Sequence, residues 1–337
     1  MKAPRSLEAL MFPMLDIPFS STADKMRHPD AEVCEAELLA LLDTIDPALR
    51  ESSTIRGVPL TDVTSRTLLR TSREGLLIGM MCGILFYIHD DWFDACDEDG
   101  NLLHTPEELN AVHARADVIL HGGPSLPGDV PPIRFLELLW RRATAFRPDR
   151  DQRRLRRAVQ QWLWSHLWEH DNMRRNLVPS FDAFNFMRVQ LGAMAYLDEF
   201  DSLIYHIDVP DEVMEHPVVE LLLHLSRSIN VWMHDFYAFE KHRSAKTTDT
   251  SLVITLRNEL DCSDQEAVNA AAEKINRTLH DYRDLKSRLP HMGIARADQL
   301  ERLLQRQEEW IANGRFYHLN SIRYTQPHAN ETTRRGG

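Results

Sequence analysis

The chain reads as an all-α protein, and three features predict this. Apolar residues recur at helical spacing through long stretches that prolines separate. Two capping boxes, Thr105-Pro106-Glu107-Glu108 and Ser263-Asp264-Gln265-Glu266, mark helix starts. No internal repeat is visible, and Ser202 to Val209 is the only plausible strand, which cannot make a sheet alone.

Taken in order, residues 1–30 are irregular, because Pro4, Pro13 and Pro18 interrupt any helix. His28-Pro29-Asp30 then opens a helix whose apolar stripe is Leu38, Leu39, Leu41 and Leu42. Residues 61–88 read as one or two helices ending at a group of aspartates. The helix after Thr105 has proline at its first position and ends near His121-Gly122-Gly123. Gly122 to Pro132 is a loop. Residues 133–146 and 151–175 are helical. The second starts with Arg150, Arg153, Arg154, Arg156 and Arg157, read as a solvated face. Trp164 and Trp168 share a face and read as core packing.

Ser180 caps the next helix, which runs through Phe184 and Arg188 towards Leu197. Pro217 starts a long apolar helix that reaches about His242. Residues 243–250 are polar without apolar periodicity, as in a mobile loop. The box at Ser263 opens a helix to about Leu289, Pro290 to Gly293 breaks the chain, and a last helix spans Ala297 to Tyr324. The tail ending Arg334-Arg335-Gly336-Gly337 reads as disordered.

The 337 residues suffice for one large domain or two ordinary ones. Lys and Arg total 39 against 51 Asp and Glu, a net charge of −12, which argues against non-specific nucleic-acid binding. Cys34, Cys82, Cys96 and Cys262 are scattered without a CxxC pair, the pattern of reduced thiols in the cytoplasm. No N-terminal apolar leader stands out and no run reads as membrane-spanning, so a soluble cytoplasmic protein without membrane insertion is expected.

The stretch Phe86-Tyr87-Ile88-His89-Asp90-Asp91-Trp92-Phe93-Asp94 carries the chemistry. An apolar run delivers three carboxylates abruptly. On a helix, Asp90 and Asp94 share a face one turn apart, and Asp91 sits beside them. Carboxylates at the end of a buried helix are costly unless cations bind there. Hard oxygen ligands suit Mg²⁺, which binds substrate phosphates through one or two carboxylates and keeps several waters. The plain alternative is an acidic helix end in water, continuing into Asp97-Glu98-Asp99.

Several segments then line up in order: His28-Pro29-Asp30; Asp90, Asp91 and Asp94; Glu169 to Arg174; Val178-Pro179-Ser180; Arg188; Gly192; and Trp310, Gly314 and Arg323-Tyr324. Together they resemble the class I terpene synthases of the microbial type, over nearly the whole chain. The resemblance implies a single-domain helical bundle, residues 1–325, around a central apolar cavity, with a polar tail at 326–337. It implies ionisation of a linear allylic prenyl diphosphate, C15 or C20, then cyclisation of the cation and release of diphosphate. Asp90, Asp91 and Asp94 would hold Mg²⁺. Arg188, Lys241, Arg323 and Tyr324 would bind the diphosphate, and Gly192 would be a helix-break effector. Diphosphate leaves only when its charge is neutralised, and arginine forks and metal ions do this where charge develops. Phe86, Phe93, Trp232, Tyr237, Trp310 and Phe316 are the pocket candidates, because aromatic faces stabilise cations. A homodimer is compatible with this reading.

The sequence departs from the family at the second metal motif, Asn/Asp-Asp-x-x-Ser/Thr-x-x-Lys-Glu. Here it reads His234-Asp235-Phe236-Tyr237-Ala238-Phe239-Glu240-Lys241-His242. Asp235 and Lys241 persist, but the ligand positions are His234, Ala238 and His242. Imidazole is a poor Mg²⁺ ligand and suits softer ions. Three readings stay open: protonated histidines replace a cation's charge, another metal binds, or ionisation chemistry is lost. The alternatives are thus a homologue that binds prenyl diphosphate without turnover, and a chain-elongating prenyltransferase, which would normally carry a second aspartate-rich motif.

Overall fold

The computed structural model describes residues 10–22, 26–51, 60–97, 101–242, 251–294 and 296–320. The chain is all-α. It opens with α1 (Ala31–Ile45), α2 (Pro47–Glu51) and α3 (Leu60–Thr67), followed by α4 (Arg73–Phe93). Next come α5 (Pro106–Leu120), α6 (Pro131–Phe146), α7 (Arg153–Arg175), α8 (Phe181–Leu191), α9 (Met194–Ile204) and α10 (Asp211–Met214). Last are α11 (Pro217–His242), α12 (Leu252–Leu260), α13 (Asp264–Arg288) and α14 (Ala297–Asn320).

Local chemistry sets the boundaries. Ser72, Ser180 and Ser251 each accept a backbone N–H at the start of α4, α8 and α12. Both predicted capping boxes form, at α5 and α13. The start of α1 differs: Asp30 makes no side-chain cap, and instead His28 Nδ1 accepts from Asp30 N at 3.1 Å.

Two apolar cores form. One surrounds α4 with side chains from α1, α6, α7 and α9. The other surrounds α11 with α12, α13, α14 and the N-terminal Leu15 and Ile17. Helix α9 joins them, touching α4, α7, α8, α11 and α14. By length and composition α4 could cross a membrane, contrary to the sequence expectation, but α1, α3, α6 and α9 pack around it as a core helix.

Three further expectations need correction. Ser202 to Val209 is not a strand: α9 continues to Ile204, and His206 adopts a left-handed φ of 53° that turns the chain. Arg302 donates to the Tyr205 and His206 carbonyls there, so no ladder partner is needed. The basic run is only partly solvated. Arg150 and Arg154 turn inward to Glu199 of α9, at 2.7 and 3.2 Å, while Arg153 and Arg157 are exposed. Trp164 is 42% exposed, whereas Trp162, on the face of His166 and His170, is in the core. The segment 243–250 and the tail 326–337 lie outside the described residues.

Candidate active site

The aspartates come at the carboxyl end of α4. Ser72 starts this helix, and its last turn closes with Asp94 N donating to Asp90 O at 2.8 Å. Asp90, Asp91 and Asp94 therefore cluster at the negative pole of the helix macrodipole and are exposed. Each carboxylate there is disfavoured by about 0.3–1 kcal/mol unless a cation answers it. The donor set is all oxygen and water-accessible, so these residues fit Mg²⁺. Asp97, the last acid of the stretch that is described, is exposed. Asp97 accepts from Asn101 N at 2.8 Å, and an isolated bridge pairs Cys96 with Leu102. Glu98 and Asp99 lie outside the described residues.

Behind the aspartates, the other face of α4 meets α7. Phe86, His89 and Phe93 lie at i, i+3 and i+7, and they face Trp162, His166 and His170 at i, i+4 and i+8. Phe93 is fully buried among the four imidazoles of His89, His113, His166 and His170. It packs this seam. Phe86 remains partly exposed against Trp162 and Tyr196, at 4.9 and 5.1 Å between ring centroids.

The imidazoles of this seam differ in charge. Burial, followed by the fields of its neighbours His166 and His113, holds His89 well below the ordinary range. Burial likewise brings His113 down to about 3. Burial also disfavours charge on His166, but the hydrogen bond and field of Asp90, 3.5 Å away, outweigh it and raise its pKa. Both ring nitrogens of His89 and of His113 are buried without a hydrogen-bond partner. An unpartnered buried polar group costs about 1–3 kcal/mol.

A second group of the sequence-predicted residues lies on α8 and α11. Arg188 Nε lies 3.1 and 3.0 Å from the two oxygens of Asp235, and Nη2 lies 2.6 Å from Oδ1. Asp235 also accepts from Leu252 N at 3.0 Å, so one carboxylate ties α8, α11 and the start of α12 together. Burial works to raise its pKa, but the Arg188 charge and then the His234 hydrogen bond hold it down to about 2. His234 is 43% exposed at its side chain, with its ring 5.3 Å from that of His318. Ala238, one turn on, is buried. This donor set does not fit Mg²⁺. The side chains of Lys241 and His242, and Arg323 and Tyr324 entirely, lie outside the described residues.

Gly192 ends α8, as expected, but its backbone is ordinary, with φ −73°. The left-handed residue of the break is Ala193, φ 53°. Gly192 is required for a different reason: a Cβ there would stand 2.1 Å from Val231 Cγ1 on α11. Other pocket candidates scatter. Trp310 donates from Nε1 to Asp201 at 2.8 Å. Trp232 packs in the second core against Phe181 and Lys274. Tyr237 stacks on His318, and Phe316 is partly buried.

Between α9, α11 and α14, a cavity of about 10 Å³, enough for one water, is lined by Met194, Leu197, Asp198, Arg227, Asn230 and Trp310, among others. The polar groups at its floor escaped sequence reading. Asp198 accepts from Arg227 at 2.7 Å and Gln307 at 2.9 Å. Burial pushes Asp198 up to about 6 against the pull of Arg227. A larger hollow of about 310 Å³, at Leu41, Met81, Leu138, Arg141 and Arg142, opens on α1, α4 and α6. Met81 is about 13 Å along α4 from Asp90, so this hollow is remote from the acids.

Fold and site together define a class I terpene synthase. Residues 81–281 match the family model for terpene synthase family 2, C-terminal metal binding. The chain belongs to this family, and it is a terpene cyclase. It is 22% identical over 312 residues to (+)-eremophilene synthase of Sorangium cellulosum, covering 92% of each chain. It is 24% identical over 307 residues to (+)-T-muurolol synthase ((2E,6E)-farnesyl diphosphate cyclizing) of Roseiflexus castenholzii, covering 90% of this chain and 92% of that one. Germacradien-4-ol synthase from Streptomyces citricolor shares the fold, with a TM-score of 0.75 and 23% identity over 91% of this chain and 98% of that one.

Proposed function

We propose that the chain cyclises farnesyl diphosphate, with Asp90, assisted by Asp94, holding Mg²⁺ against the diphosphate and Asp91 positioning the pair. The observation that carries this reading is the carboxylate trio at the negative end of α4. The bound metal supplies the positive charge that stabilises the departing diphosphate. Arg188, oriented by Asp235, donates to that leaving group. Lys241, Arg323 and Tyr324 complete the reading as further diphosphate ligands. With the diphosphate gone, Phe86, Tyr237, Trp310 and Phe316 are the aromatic faces offered to the allylic cation. No step is assigned to a third metal, because Ala238 offers no ligand and His234 offers an imidazole.

The pocket must open to admit a substrate. Sites for drug-sized ligands run about 300–1,000 Å³, far above the 10 Å³ enclosed at Trp310. The prenyl tail therefore displaces side chains between α9, α11 and α14. The C15 choice rests on the farnesyl diphosphate named for the T-muurolol synthase relative. A cytoplasmic enzyme without stable membrane insertion, acting on a small-molecule prenyl diphosphate, completes the proposal, and a homodimer is compatible with it.

The test is incubation of the full chain with C10, C15, C20 and C25 diphosphates, with and without Mg²⁺, followed by product analysis. A cyclic C15 product that requires Mg²⁺ and disappears in Asp90→Asn supports the reading. Longer linear products on adding isopentenyl diphosphate would make the chain an elongating transferase. A second reading, binding without turnover, is favoured by the His234 and Ala238 substitutions. It wins if only the triple variant His234→Asn, Ala238→Ser, His242→Glu is active.

A further inference from the structure

We propose that His89, Asp90 and His166 form a binding site for a divalent transition metal of borderline softness, Zn²⁺ or Fe²⁺, between α4 and α7. One ligand atom from each of the three lies within 4.8 Å of the other two. His166 Nε2 and Asp90 Oδ1 are 3.5 Å apart, close to the edge of a tetrahedron built on metal–ligand bonds of about 2.0–2.2 Å.

The hydrogen bonding around His166 prepares it as a ligand. Its Nδ1 is 2.9 Å from the Trp162 carbonyl, which can only accept, so Nδ1 carries the proton. This is the outer-sphere bond that fixes the tautomer and aim of a metal-binding imidazole. Nε2 of the neutral ring then presents its lone pair to a carboxylate. Two acceptors facing each other need a cation between them, either a proton or a metal ion.

His89 decides between the two. Its ring is 4.5 Å from that of His166, is 1% exposed, and has no hydrogen-bond partner at either nitrogen. A proton shared by His166 and Asp90 leaves both His89 nitrogens unanswered. A metal ion on His166 Nε2 and Asp90 also takes one nitrogen of His89. Two imidazoles and one carboxylate form a set that suits zinc or non-haem iron rather than Mg²⁺. Asp90 is half-exposed, which leaves the fourth position open to water. One oxygen of Asp90 serves this ion, and its other oxygen remains for the proposed Mg²⁺.

The test uses the tag-free full chain, stripped of metal and titrated with Co²⁺, without any diphosphate. It therefore stands or falls independently of the cyclase reading. One Co²⁺ per chain with the intense visible bands of a four- or five-coordinate site is expected. His89→Leu and His166→Leu should each weaken binding by more than about 100-fold, beyond the effect of losing an outer-sphere partner. His113→Leu, in the same seam but outside the ligand set, should keep the bands, as should an excess of Mg²⁺. Circular dichroism of each variant reports folding, and if His89→Leu fails to fold, His166→Gln decides. No uptake, or only the pale spectrum of six-coordinate Co²⁺, would overturn the proposal. So would bands that Mg²⁺ displaces, that both histidine variants retain, or that a folded His113→Leu loses.

Discussion

Breaking the Arg188–Asp235 pair should destabilise the fold as well as impair the site. The Asp235 side chain is 2% exposed and that of Arg188 is 14% exposed, so solvent screens the pair little. Removing one partner of a buried pair costs about 3–5 kcal/mol. With an unfolding entropy of about 2.1 cal/mol/K per residue, 337 residues give about 0.7 kcal/mol/K. Asp235→Asn should therefore melt about 4–7 °C below the parent at pH 7, as read by circular dichroism. The sign of the pH dependence follows from the folded-state pKa of about 2, below the unfolded value of 3.8. The stabilisation is full above about pH 4, is worth about 2 kcal/mol by linkage, and is lost as pH falls through about 2. The gap between parent and variant should thus narrow between pH 4 and pH 2. Replacing both partners, Arg188→Met with Asp235→Leu, should recover part of the loss, because an apolar pair leaves no uncompensated charge. An Asp235→Asn melt within about 1 °C of the parent at pH 7 would refute the reasoning.

Three further outcomes are expected. Gly192→Ala should lose about 1–3 kcal/mol in denaturant melts, since the short, stiff Val231 side chain cannot swing away, and Val231→Ala should restore most of it. Arg150→Ala should cost about 1.5–3 kcal/mol by removing one of the two arginines on Glu199, while Arg157→Ala should stay within about 0.5 kcal/mol; equal effects in thermal melts would contradict the inward turn of the basic run. Asp94→Asn should lower turnover of farnesyl diphosphate by about 10²-fold or more with little change in melting temperature, a split that steady-state kinetics and a melt read together.

Much of the fold was legible because helix starts are local chemistry. The capping boxes at Thr105 and Ser263 and the cap at Ser180 each act within four residues. The acidic trio was legible for the same reason, since a helix fixes the spacing of Asp90 and Asp94. What stayed hidden was long-range pairing. Nothing near Arg150 in sequence says that Glu199 will be its partner, so a basic run reads as surface. Phe93 and Phe86 share a helix face, and only the arrival of α7 shows that Phe93 is sealed among imidazoles. The break at Gly192 was visible, but its cause, the close approach of Val231, belongs to another helix.

Helix α9 carries three buried acids, and arginines from different parts of the chain grip each one: Arg227 on Asp198, Arg150 and Arg154 on Glu199, and Arg306 on Asp201. Such a helix cannot rotate or slide without surrendering several contacts at once. Its cavity-side residues Met194 and Leu197 are under no such restraint. A lineage can therefore resize them, and so reshape the mould in which a cation folds, while the scaffold stays in register. Diversity of product and constancy of architecture then come from neighbouring side chains of one short helix.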